Sequence, residues 1–155
     1  MSQEDDQRLQ HILKQSEMRR QAEAQKADFA RQHAEAEAKQ RETAKPQIEH
    51  LIGAFKSTAA IVSGELGAAA VAIEVEAERL NDGGVMLRVR AKPQDRGLRP
   101  EQIEMGITDK GYVSGAGFFT GRNDRNSLVD EFDPAMIRSG YLRLAERTLH
   151  IRPLR

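Results

Sequence analysis

Two periodicities divide the chain. From Ile48 onward apolar residues recur at three- and four-residue steps: Ile48, Leu51, Ile52, Phe55, Ala59, Val62 and Leu66. That spacing lays one apolar stripe along a helix and predicts an amphipathic helix over residues 47–66 with a single packed face. Gly64 and Gly67 supply stop signals at its end. From residue 70 the period drops to two. Val71, Ile73 and Val75 alternate with Glu74, Glu76 and Glu78; after the turn cluster at residues 81–84, Val85, Leu87, Val89 and Ala91 alternate with Arg88, Arg90 and Lys92. The alternation predicts two half-buried strands. Pairing them with an even index sum, Glu76 beside Arg88 or Arg90, sets apolar against apolar and acid against base. A two-residue turn would make the sum odd and mix the faces. A longer or bulged loop at residues 81–84 is therefore expected, with a Glu/Arg ladder on the exposed face. Each cross-strand pair contributes about 0.2–1 kcal/mol, so the ladder sets register more than stability.

Further hairpins follow. Asp109-Lys110-Gly111 suits a type I turn with a glycine bulge, which opposes Thr108 to Tyr112 and Ile107 to Val113. A third hairpin, turning at Glu146-Arg147, would pair Leu144 with Leu149, Leu142 with Ile151 and Arg143 with His150. In that reading Gly140 ends a short helix and His150 sits on the outer face of a terminal strand. Glu-Arg is poor chemistry for a primed turn, so a continuous helix over residues 134–149 is the alternative, with Asp133 as N-cap and Pro134 as the first helical residue. The sum is an α+β fold: a long N-terminal helix, then an amphipathic helix packed on a five- or six-stranded antiparallel meander from about residue 70 to residue 153. A helix followed by a meander resembles the cystatin-like folds in architecture alone; no motif assigns a family.

The first 45 residues contain no Gly and no Pro and are rich in Ala, Glu, Gln, Lys and Arg, which lose little side-chain entropy in a helix. Ser2 and Asp5 have capping-box spacing, and Glu4, Asp5 and Asp6 complement the positive end of the helix dipole. Such a helix would reach about 60 Å at about 1.5 Å per residue, more than a domain of this size can bury. Its apolar seam is thin. Leu9, Ile12 and Leu13 make one patch, Ala22, Phe29 and Ala36 recur every seventh residue, and Ala27, Ala30 and Ala34 share a face. Gln25, Gln32 and Lys39 occupy the other seam positions, so no sustained heptad exists. Residues 1–45 thus read as an extended polar helix or a partly disordered arm, with Leu9, Ile12, Leu13 and Phe29 as candidate partner-binding residues. Pro46 is expected to end or kink it, because proline disfavours helical dihedrals at Lys45. Residues 46–155 read as a small α+β domain.

Composition narrows the chemistry. Basic and acidic residues balance at 24 each, so bulk charge gives no argument for nucleic acid or an anionic membrane. The absence of cysteine removes disulfides, cysteine-ligated metals and thiol nucleophiles, and fits a cytoplasmic setting. The N-terminus is too polar for a secretory signal, and no apolar run approaches membrane-spanning length.

The stretch "GYVSGAGFFTG" invites a phosphate-loop reading. However, Thr120 stands where the third glycine of a dinucleotide fingerprint belongs, and no Lys-Ser or Lys-Thr follows. Gly106, Gly115 and Gly117 read better as close-approach positions on bent strands, with Phe118 or Phe119 filling the core and the helix from residue 48 as the approaching element. His11, His33, His50 and His150 form no zincin motif. A calcium loop starting at Asp124 fails at Val129 and Ala135, and Asp130, Glu131 and Asp133 read as a solvated loop and helix cap. No metal or cofactor is implied. Arg96, Arg99, Arg122 and Arg125 fall in expected loops and Arg143 and Arg152 near the C-terminus, where they could form a basic patch.

The leading expectation is a non-enzymatic protein-interaction or oligomerisation module with the N-terminal helix as docking arm. The alternatives are a nucleic-acid-binding accessory protein using the arginines, and a small ligand-binding domain or enzyme with a pocket between helix and sheet.

Overall fold

The structure, a computed structural model, describes residues 2–122 and 126–153. Helix α1 (Gln3–Glu65) is followed by strands β1 (Val71–Arg79), β2 (Val85–Pro93), β3 (Glu101–Ile107) and β4 (Tyr112–Ser114). The short helix α2 (Gly117–Thr120), strand β5 (Ser127–Leu128) and helix α3 (Pro134–Thr148) complete the order. The chain divides into two compact units, residues 1–40 and 41–155.

In the first unit every described residue is helical from Gln3 on and exposed, apart from a partly covered Glu37. Ser2 caps the helix through its hydroxyl, which accepts from the Asp5 amide at 3.3 Å. Ion pairs at helical spacing, Arg19–Glu23 at 3.4 Å and Asp28–Arg31 at 3.4 Å, support it locally. Such pairs contribute about 0.2–0.5 kcal/mol each.

The second unit is an α+β domain with five antiparallel strands in the order β1-β2-β3-β4-β5. The β1–β2 register is the even-sum one: Glu76 lies opposite Arg88, Glu74 opposite Arg90 and Val75 opposite Val89. Leu80 to Gly84 form the expected longer loop, closed by the Leu80 amide donating to the Gly84 carbonyl at 2.8 Å. At the second hairpin Ile107 faces Val113 and the Thr108 amide donates to the Tyr112 carbonyl at 2.8 Å. Gly111 there has φ 90°, the left-handed conformation that the bulge of the turn requires.

One core fills one face of the sheet. It joins Ile48, Leu51, Phe55, Ala59 and Val62 of α1, Leu87, Val89 and Met105 of the sheet, and Ile137, Tyr141 and Leu144 of α3. The opposite residues of β1 and β2, Glu74, Glu76, Glu78 and Arg90, are exposed. Tyr141 is fully enclosed, and its hydroxyl donates to the Phe55 carbonyl at 2.7 Å. Burial pushes its phenol far above the ordinary tyrosine range. The folded state holds that proton more tightly than the unfolded chain. The associated stability is therefore complete below about pH 10, the ordinary tyrosine value, and is lost as pH rises above it. Tyr141→Phe is expected to cost about 1 kcal/mol near pH 7 and to reduce the loss of stability above about pH 10. Urea unfolding of both proteins at neutral and alkaline pH checks this; equally steep alkaline loss in the variant would contradict it.

Four expectations are corrected. Pro46 does not end the helix: α1 continues through it. Ala44 before it and Ile48 after it are both buried in the same core. That anchorage offsets the ~3 kcal/mol cost of an internal proline. The Glu146-Arg147 hairpin does not form. Residues 134–148 are the continuous helix instead, with Pro134 in its first turn and the Asp133 carboxylate accepting from the Met136 amide at 2.8 Å. Leu144 and Tyr141 meet the core at helical spacing, which an alternating strand could not achieve. Gly140 accordingly lies inside α3, and His150 follows the helix with φ 54°.

Candidate functional site

The glycine stretch is divided among three elements. Gly111 forms the turn, Gly115 has φ 74°, and Gly117 opens α2 rather than lying on a strand. A Cβ on Gly115 would stand 2.8 Å from the Glu104 carbonyl oxygen. Strand β3 is therefore what approaches this glycine, not the helix from residue 48. Phe119 fills the core at the end of the stretch, stacked edge-on against Phe55 at 5.2 Å between centroids. Its backbone is thus engaged by packing, turn geometry and a four-residue helix, with no extended helix terminus aimed at a ligand.

Two carboxylates of the following loop are likewise in structural use. Glu131 accepts from the Leu128 amide at 2.9 Å and from Arg122 at 3.3 Å, while Asp133 caps α3. Asp124 and Arg125 lie outside the described residues. Among the described residues no cluster of three His, Asp or Glu side chains is arranged to hold a metal ion.

The candidate arginines stand on several elements. Arg96 and Arg99 are exposed in the loop between β2 and β3, and Arg152 is exposed beyond α3. Arg122 pairs with Glu131. Arg143 donates to the Phe118 carbonyl at 2.6 Å, and its guanidinium lies 5.3 Å from the centre of the Phe118 ring. Arg147, another of the arginines that crowd the C-terminus, lies 5.5 Å from that same ring. This double cation–π contact was invisible in the sequence, because it depends on α3 being a helix that sets residues 143 and 147 one turn apart.

A cleft of about 240 Å³ opens beside Ile48 and Val85 and is lined by Arg41, Lys45, Glu49, Arg79 and Asp109. Both of its carboxylates are occupied by guanidinium partners: Asp109 by Arg41 at 2.8 Å, and Glu49 by Arg79. Periodicity could not reveal these pairs, which join residues far apart in sequence. The outer face of the sheet carries the Glu/Arg ladder. Arg88 bridges Glu78 at 2.8 Å and Glu104 at 3.3 Å. Glu78 first, and Glu104 after it, hold its guanidinium above its ordinary value.

The candidate partner-binding residues all lie in the first unit. Leu9, Ile12 and Leu13 are 52%, 61% and 59% exposed and Phe29 is 73% exposed. Leu9, Ile12 and Leu13 share one helix face by their three- and four-residue spacing. Phe29 stacks parallel on His33 at 6.4 Å. No helix among the described residues is long and apolar enough to cross a membrane. Comparison with protein-family models, with curated protein sequences and with solved structures finds no match to this chain.

Proposed function

We propose that the chain is a non-enzymatic protein-interaction and oligomerisation module whose helical segment, residues 3–40, docks against another helix. The observation carrying this reading is the contiguous exposed patch of Leu9, Ile12 and Leu13 on a helix that encloses no core of its own. Singly exposed large aliphatic residues are ordinary, but three neighbouring ones on one face favour a partner surface. Intrinsic propensity favours this helix, but in proteins tertiary or quaternary packing normally supplies most of a helix's stability. The segment holds seven basic and eight acidic side chains in residues 1–40, so charge does not oppose pairing with a second copy.

Sedimentation equilibrium of the full chain tests the proposal. Self-association is expected, and Leu9→Lys with Leu13→Lys is expected to abolish it while leaving the thermal unfolding of the second unit unchanged. A chain that is monomeric at the highest attainable concentration, and whose interactions are unaltered by deletion of residues 1–40, would defeat the reading.

A further inference from the structure

The two edges of the sheet are unequal. Strand β5 at one edge spans only Ser127–Leu128, whereas β1 at the other spans nine residues. Long edge strands are the ones that template further pairing, because their outward amides and carbonyls lack a ladder. The bonds flanking the β1–β2 ladder show which groups face outward. The Gln94 amide donates to the Ala70 carbonyl and the Leu80 amide to the Gly84 carbonyl, both at 2.8 Å. Even-numbered backbone groups of β1 therefore face β2, and odd-numbered ones face the open edge. Ser63 of α1 confirms the direction and satisfies one such residue. Its hydroxyl accepts from the Ile73 amide at 2.8 Å and donates to the Ile73 carbonyl at 3.2 Å. Further along, Glu49 of α1 ties down the Arg79 side chain. Between these two ties the backbones of Val75 and Ala77 have no hydrogen-bond partner on the edge among the described residues. Their side chains are only half-buried, although they belong to the inward-facing set.

The chemistry of this edge selects its occupant. Glu74, Glu76 and Glu78 project from the outer face of the same strand. Two copies of β1 paired antiparallel through the odd-numbered groups of Val75 and Ala77 would set glutamate against glutamate, since even residues then oppose even residues. Like charges directly opposite are destabilising, so the edge is closed to its own kind. Strand β2 shows what does fit: Arg88 and Arg90 oppose Glu76 and Glu74, alternating with the inward-facing Val89 and Ala91. Arg88 is shared between Glu78 and Glu104, and Lys92 reaches Glu74 only at 4.0 Å, so the acidic row is incompletely neutralised from the β2 side.

We propose that the open edge of β1 at Val75–Ala77 is a β-augmentation site for an extended protein segment carrying Lys or Arg at alternate positions with apolar residues between them. Backbone hydrogen bonds to Val75 and Ala77 supply the pairing, and the glutamate row reads the charge pattern. The site lies on a different element from the Leu9 patch and does not depend on it.

The test uses the full chain and two synthetic peptides of equal composition, one alternating lysine with valine and one with its lysines in a single block. The alternating peptide is expected to bind and to slow hydrogen exchange at the Val75 and Ala77 amides. Ala77→Pro is expected to weaken it by about tenfold or more, because it deletes one of the two edge donors while edge strands tolerate proline. Glu74→Gln with Glu76→Gln is expected to weaken it as well. Equal binding of the blocked peptide, an unchanged affinity in Ala77→Pro, or peptide binding without protection at those two amides would overturn the proposal, as would no binding at all. Protection of both amides in the unliganded chain, rising with its concentration, would point to self-pairing and overturn it too.

Discussion

Phe55→Ala is expected to cost about 3–5 kcal/mol of unfolding free energy, the range for truncating a large aromatic in a packed core. Phe55 is fully enclosed and its ring meets three others: Phe119 at 5.2 Å, Phe132 at 5.8 Å and Tyr141 at 6.1 Å between centroids. Those partners come from α2, from the segment before α3 and from α3 itself, so one ring on α1 ties together elements more than 60 residues away. The cavity cannot close by movement of a single neighbour, which places the cost toward the upper part of that range. Domains of this size are typically stable by about 5–15 kcal/mol, so the loss would remove a large share of the total. The Phe55 carbonyl survives the substitution, so the Tyr141 hydroxyl keeps its acceptor and the effect isolates packing from hydrogen bonding. Phe29→Ala is the contrast. Phe29 is 73% exposed, and its truncation should change stability by no more than about 0.5 kcal/mol. Urea unfolding followed by far-ultraviolet circular dichroism measures both. Comparable effects of the two substitutions would mean that the aromatic cluster does not organise the core.

Much of the fold was readable because its strongest signals are local. The two-residue alternation of Val71–Val75 and Val85–Ala91 fixed the faces of β1 and β2. Charge matching then fixed their register, and the structure has Glu76 opposite Arg88. Asp109-Lys110-Gly111 specified its own turn through the one residue that accepts a positive φ. What local pattern could not resolve was competition between local preference and the core. Proline at residue 46 is a helix breaker taken alone, but Ala44 and Ile48 are buried on either side of it. Leu142, Leu144, Leu149 and Ile151 fit an alternating strand, whereas Ile137, Tyr141, Leu144, Ala145 and Thr148 fit a helix face; only the second set is enclosed. The exposed residues of the arm were legible because nothing in their neighbourhood could bury them. The edge groups of β1 were not, since which strand stands at an edge is a property of the whole sheet.

Gly140 shows how the same substitution can act in opposite directions within one chain. Both Gly140 and Gly53 lie inside helices, so replacing either with alanine gains about 1 kcal/mol of helix propensity. At Gly53 nothing lies within 4 Å of the added Cβ, and the gain should appear as increased stability. At Gly140 the added Cβ would fall 2.2 Å from Cδ1 and 2.3 Å from Cε1 of Phe119. That ring is held edge-on by Phe55 on one side and by Tyr141, at 5.9 Å, on another. It cannot turn aside without disturbing the cluster on which the core rests. Overpacking of this kind costs about 1–3 kcal/mol or more, so Gly140→Ala should be net destabilising despite its better helix propensity. The glycine is therefore required by the approach of Phe119 to α3, where the sequence alone suggested a helix terminus. Thermal and urea unfolding of the two single variants give the signs directly. Stabilisation by both would show that Phe119 yields readily, and would remove the reason for a glycine at this point of α3.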